Sequence, residues 1–146
     1  MLVISHRANI DGPNEETENT INSIKYCLEK GISVEIDIWH KNNQLYLGHD
    51  EPQYKIDFDF LKLNYCSLWI HCKNFEALEF FSNYIFMHFF WHENDKFTLT
   101  SHNFIWTYPN QNVCNKSVIV CQSKEETKKY LKENCFGVCT DYINLT

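Results

Sequence analysis

A chain of 146 residues is long enough for one domain with a real core and short of what two would need. With 44% hydrophobic and 16% aromatic residues, and only four glycines and three prolines, it is neither a disordered chain nor a flexible linker. The net charge of -6, without a lysine- or arginine-rich run, argues against nucleic acid as a partner, because gripping a phosphate backbone needs a concentrated positive surface.

Leu2–His6 reads as a short buried strand. It starts directly after Met1, with no basic segment and apolar leader ahead of it, which predicts a cytoplasmic protein. Residues 8–18 are loop, punctuated by Gly12-Pro13-Asn14 and kept wet by Glu15, Glu16 and Glu18. From Thr20 to Lys30 the stripe Ile21, Ile24, Cys27 and Leu28 predicts a helix that Gly31 stops. Residues 33–39 alternate strictly, with Val34, Ile36 and Ile38 set against Glu35, Asp37 and Trp39, so a strand with two distinct faces is expected. Asn42-Asn43 then leads into a hairpin-like return, Gln44–Leu47, ending at Gly48-His49-Asp50. Leu68–Lys73 is a third strand, and Asn74 caps a helix over Phe75–Ser82. Tyr84–Trp91, apolar but for His88, predicts a fourth buried strand. Phe97–Thr100 and Phe104–Tyr108 lie too close in sequence for a parallel crossover and are expected to form a hairpin or one interrupted strand. Val118–Cys121 is a further strand. Ser123-Lys124-Glu125-Glu126 has the form of a capping box and opens a helix to about Asn134. Residues 136–141 close the chain as a last strand.

Seven cysteines without CxxC spacing read as reduced, mostly core thiols, and burial makes such thiols poor nucleophiles. No apolar run approaches the ~18 residues of a membrane span, so no stable membrane insertion is expected. The carboxylates are the informative residues. Glu35 and Asp37 project from one strand face, two residues apart, a separation that suits two carboxylates sharing one hard divalent cation. His6-Arg7, Glu35-Ile36-Asp37 and His49-Asp50 each close a strand-like segment, so acid–base and ligand groups gather at successive strand ends.

In chain order, His6-Arg7, Glu18-Asn19-Thr20, Glu35-Ile36-Asp37, Gly48-His49-Asp50 and Gly137-Val138-Cys139-Thr140-Asp141 resemble the signature of glycerophosphodiester phosphodiesterases. That family carries H-R-G, P-E-N-T, E-x-D, H-D, E-x-K and a terminal G-x-x-T-D on a (β/α)8 barrel. The resemblance covers both ends of the chain. It implies metal-assisted hydrolysis of a small phosphodiester at the carboxyl-terminal mouth of the barrel. It also implies His6 and His49 as the acid–base pair, Glu35 and Asp37 as ligands of Mg²⁺ or Ca²⁺, and Arg7 and Lys73 as the cations that steady the phosphate. The chemistry asks for these residue types on its own account. One group must take a proton from the attacking hydroxyl while another protonates the leaving alkoxide, and histidine titrates in the right range. A hard cation offsets charge on the phosphoryl oxygens, and a guanidinium fork suits two of them.

Three departures qualify the expectation. Where the family has E-x-K, this chain has His71-Cys72-Lys73, so an imidazole replaces the third carboxylate ligand, which makes Mn²⁺ or Zn²⁺ eligible. H-R-G has become His6-Arg7-Ala8, losing glycine's freedom for positive φ. The chain is also short against the ~250 residues typical of the fold. The expected architecture is therefore α/β, a reduced TIM-type barrel over residues 1–146 with an incomplete outer helical layer. A homodimer would cover the barrel surface left bare. Of the remaining polar residues, His88 reads as a core histidine, and His92 and Asp95 as the start of a loop on the site's side. Trp106 reads either as core or as a counterpart of a late family tryptophan. Glu18 and Asn19 need do no more than cap the first helix, and Asp141 no more than cap or turn. Two rivals stay open: a barrel that binds phosphodiesters or sugar phosphates without turnover, and a phospholipase or lyase that releases a cyclic phosphate.

Overall fold

The computed structural model describes residues 1–145. Its central strands are β1 (Leu2–His6), β2 (Ser33–Lys41), β5 (Leu68–Cys72), β6 (Phe89–Phe90), β8 (Ile105–Thr107), β9 (Ser117–Cys121) and β10 (Gly137–Thr140). They run parallel in the order β6-β5-β2-β1-β10-β9-β8. β7 (Phe97–Leu99) adds antiparallel to β8, and β3 (Gln44–Leu47) with β4 (Tyr54–Ile56) forms an antiparallel meander on the far end of β2.

The sheet curls without closing. β5 and β8 stand five ladder steps apart, on the order of 24 Å in a flat sheet. Yet the rings of Trp69 and Trp106, one on each strand, have centroids only 6.0 Å apart. Among the described residues no ladder joins β6 to β7 or β8. The gap is crossed instead by the Ser101 N–H to the Phe89 carbonyl at 2.9 Å and by the Thr98 hydroxyl to the Trp91 carbonyl at 2.8 Å. The expected TIM-type barrel is thus corrected to an open, curled, mixed α/β sheet. The physical reason is strand length: β6 and β7 contribute two and three residues, too few to sustain a closing ladder.

Four α-helices are present among the described residues: α1 (Ile21–Glu29), α2 (Phe58–Leu63), α3 (Phe75–Ser82) and α4 (Lys124–Tyr130). Each of α1, α3 and α4 starts on a side-chain cap, from Thr20, Asn74 and Ser123. The α4 helix ends four residues before the sequence pattern suggested. Between β6 and β9 there is no helix. None of these helices is long and apolar enough to cross a membrane.

Alternation along each strand separates two cores. On the convex face Val34, Ile36, Ile38 and Ile70 pack beneath Ile24, Cys27, Leu61, Ala77 and Phe81 of α1, α2 and α3. Ile119, Cys121 and Val138 pack with Tyr130 of α4. On the concave face Ile4, Trp69, Phe90, Trp106, Val118, Val120 and Cys139 form an apolar floor.

Candidate active site and cation cluster

Two residues further along the same strands, the floor gives way to polar side chains. Ile4 is followed by His6, Trp69 by His71 and then Lys73, Phe90 by His92, Trp106 by Tyr108, Val120 by Gln122, and Cys139 by Asp141. Because residues i and i+2 share a strand face, every change from apolar to polar occurs at the carboxyl end of a parallel strand. Together these groups line one cavity of about 380 Å³ that also receives Arg7, Glu35 and His49. It is of a size for a small-molecule ligand.

Glu35 lines it and Asp37 lies behind the lining residues Arg7, His71 and Lys73; the two carboxylates are 2% and 1% exposed. The parallel register sets Asp37 beside His71, whose Nδ1 is 2.9 Å from Asp37 Oδ1 and 3.8 Å from Glu35 Oε1. Arg7 Nε lies 3.3 Å from Asp37 Oδ2, out of line for a hydrogen bond but a close ion pair, and Lys73 Nζ is 3.7 Å from Oδ1. These partners drive the two carboxyls apart. Burial raises Glu35 above the ordinary carboxylate range, and neighbouring Asp37 adds to it. Burial would raise Asp37 too, but the His71 hydrogen bond and the charges of His71, Lys73 and Arg7 outweigh it and hold Asp37 low.

One ligand atom each from Glu35, Asp37 and His71 lies within 4.8 Å of the others. That spacing fits a cation bound at about 2.0–2.6 Å, whose opposed ligands stand up to about 5 Å apart. The histidine is also oriented as a ligand would be. Its Nε2 donates to the His92 carbonyl at 3.1 Å and its Nδ1 donates to Asp37 Oδ1 at 2.9 Å, so a cation held between these groups would take the place of the Nδ1 proton. The His92 ring stacks on it at 4.4 Å, and burial, with His71 alongside, pushes the His92 pKa down to about 4.

His6 Nδ1 donates to Asp141 Oδ1 at 3.0 Å, and the same oxygen accepts from Asn9 Nδ2 at 2.8 Å. That leaves His6 Nε2 on the Glu35 side, 3.9 Å from Oε2. Burial disfavours the imidazolium, but Asp141 and Glu35 prevail and raise the His6 pKa. His49 is delivered by the β3 return. Gly48 has φ +148, and a Cβ there would run into the Glu51 carbonyl, so only glycine makes this turn. Burial lowers the His49 pKa, and Arg7 and Lys73 reinforce this against the pull of Asp37. Two imidazoles facing one cavity are therefore pushed in opposite directions, the condition for one to give and one to take a proton at the same pH.

No protein-family model matches the chain, and no curated protein sequence matches it. The site has to be read from its own residues.

All seven residues singled out from the sequence as site candidates, His6, Arg7, Glu35, Asp37, His49, His71 and Lys73, meet around this cavity. His92 and Trp106 line it as well, whereas Asp95 is exposed and bonds the Glu93 N–H. His88 is a core histidine, 6% exposed, with Nε2 2.8 Å from the Thr100 hydroxyl. Three residues do more than their capping or turn chemistry asks. Asp141 is a partner of His6 rather than only a cap or turn. Glu18 pairs with Arg7 Nη1 at 3.2 Å, and Asn19 bonds Asp37, while Thr20 does the capping. Their signal was present in the ordered motifs, but residue type alone gave capping as the simpler use. Ala8 is a further correction. It adopts φ +64 and Arg7 φ +53, so the left-handed turn forms without glycine, at a cost of about 1–3 kcal/mol per strained residue.

Proposed function

We propose that the protein is a metal-dependent phosphodiesterase that hydrolyses a small, glycerophosphodiester-like substrate by histidine acid–base catalysis. The observation that carries this reading is the convergence on one small cavity of two imidazoles, two cations and a three-residue cation-binding cluster. The order of the motifs along the chain supports the same reading. Glu35, Asp37 and His71 would hold the divalent cation, which supplies charge neutralisation at the phosphoryl oxygens. Mg²⁺ or Ca²⁺ is what the motif resemblance implies, and the imidazole in the donor set makes Mn²⁺ or Zn²⁺ eligible.

The protein's own groups take the other roles. Arg7 and Lys73 reach the carboxylate cluster from two strands and bind the phosphate beside it. His6, held by Asp141, and His49 move the protons: one accepts from the attacking hydroxyl, the other protonates the leaving alkoxide. Glu18 keeps Arg7 from swinging into solvent.

The test is hydrolysis of a panel of glycerophosphodiesters with Mg²⁺, Ca²⁺, Mn²⁺ or Zn²⁺, with His6→Ala as control. Turnover that needs both an ion and His6, and a loss of at least ~10² in kcat for His6→Ala with the fold kept, is expected. A full-rate His6→Ala protein sinks the assignment. A folded protein inactive with every ion points instead to a phosphodiester-binding module, and a cyclic product without solvent oxygen points to a lyase.

A further inference from the structure

The loop between β1 and α1 closes over the carboxylates, and one residue of it grips Asp37 twice. Asn19 is wholly buried. Its Nδ2 donates to Asp37 Oδ2 at 2.9 Å, and its Oδ1 accepts the Asp37 backbone N–H at 3.0 Å. Its own N–H donates to the Arg7 carbonyl at 2.8 Å, while the Arg7 N–H donates to the Glu35 carbonyl at 3.0 Å and to Glu35 Oε2 at 3.2 Å. A chain of hydrogen bonds thus runs from Asp37 through Asn19 and Arg7 to Glu35.

We propose that Asn19 is the positioning residue of the cation site, fixing Asp37 at backbone and carboxylate so that Oδ1 faces His71. The inference rests on the reading of Glu35, Asp37 and His71 as cation ligands. The residue type follows from the task. A single planar carboxamide offers the donor and the acceptor that the two contacts require. Asparagine also tolerates the left-handed backbone found here, φ +54. Aspartate would lack the donor and would set a second carboxylate against Oδ2. Helix capping does not account for these bonds, because Thr20 supplies the cap.

Partners that orient ligands are worth about 10- to 100-fold in metal affinity. The experiment is a calorimetric Mn²⁺ titration of the full chain and of variants checked for folding by circular dichroism. Asn19→Gly keeps the left-handed backbone and removes the grip, and Asn19→Ser fills the space with a side chain too short for both contacts. Both should raise the Mn²⁺ Kd by about 10- to 100-fold. Thr20→Ala loosens the same loop at the helix start but leaves the carboxamide, and should stay within about twofold of the parent. An Asn19→Gly or Asn19→Ser protein with parental Kd overturns the inference, as does a Thr20→Ala protein weakened equally. A parent that turns over diesters yet binds no Mn²⁺ overturns it together with the cation assignment but not the acid–base one. A parent that binds Mn²⁺ through Asn19 without turnover upholds it while removing the enzyme.

Discussion

At the scale of single residues, the site is a set of charges whose partners decide their state. His6 illustrates this. Its environment is desolvating, yet Asp141 at 3.0 Å keeps the imidazolium favourable. Asp141→Asn removes that anion while keeping the shape, so kcat should fall at least about tenfold. The limb of the pH–rate profile that belongs to His6 should also move to lower pH, since the interaction raising its pKa is gone. A variant with lower kcat and an unmoved profile would mean that Asp141 only braces the fold. His6, Arg7, His71 and Lys73 were legible in the sequence because they end apolar strands, Glu35 and Asp37 because they fill one face of the apolar β2 strand, where polarity is unexpected, and His49 because it follows the β3 return. Asp141 and Asn19 were not, because acidic and amide side chains at loop ends have a simpler local use in capping and turns. Only their partners reveal the other role.

Elements were legible where one local pattern dominates. β2 follows its alternation, and α1 follows its stripe, its cap and its glycine stop. The two halves of α1's stability separate cleanly. Thr20→Ala should cost about 1 kcal/mol through the lost Ser23 N–H bond. Ile24→Ala, at a fully buried position packed on the convex core, should cost about 2–5 kcal/mol. Urea midpoints of the two variants would show the difference, and equal losses would mean that α1 is held by its end rather than its face. The Tyr84–Trp91 run does not form one strand as its apolarity predicts; only Phe89–Phe90 pairs. Its first half turns instead, with Met87 N–H on the Tyr84 carbonyl. Its rings pack sideways, Tyr84 against Phe58 at 4.6 Å and Phe86 against Tyr65 at 5.5 Å, while Ile85 and Phe86 stay exposed. An apolar run fixes neither a strand nor burial, because the pairing and the surface that would cover it lie elsewhere in the chain. The segment holding β4 and α2 went unread because its short, mixed pattern has no clear period.

For the molecule as a whole, the open seam between β6 and β7 is the weak line. The β1, β10 and β9 ladders are continuous, while the seam is crossed by isolated bonds. Amide exchange at Phe89 and Ser101 should therefore outpace that at Ile4, Val138 and Cys139 by at least about tenfold. Equal protection would mean that the sheet opens only as a unit. His88 lies beside this seam, stacked on His102 at 4.6 Å, and burial followed by that neighbour pushes its pKa down to about 3. In the unfolded chain the same group takes its proton near 6.5. Between those values acid favours unfolding, so the contribution of His88 is complete above about pH 6.5 and falls as pH drops toward 3. The loss amounts to as much as about 1 kcal/mol per pH unit. Urea midpoints measured from pH 7 to 4.5 should fall less steeply for His88→Gln than for the parent, and parallel curves would refute this linkage.

By itself the sequence determined the parallel β/α units, the two-faced β2 strand and the polar residues at strand ends, since each depends on chemistry within a few residues. Tertiary structure decided two things. One is that the sheet remains open, because closure depends on whether two distant, very short strands meet in register. The other is that Asn19 and Asp141 belong to the site, because the residues they bond lie 18 and 135 positions away along the chain.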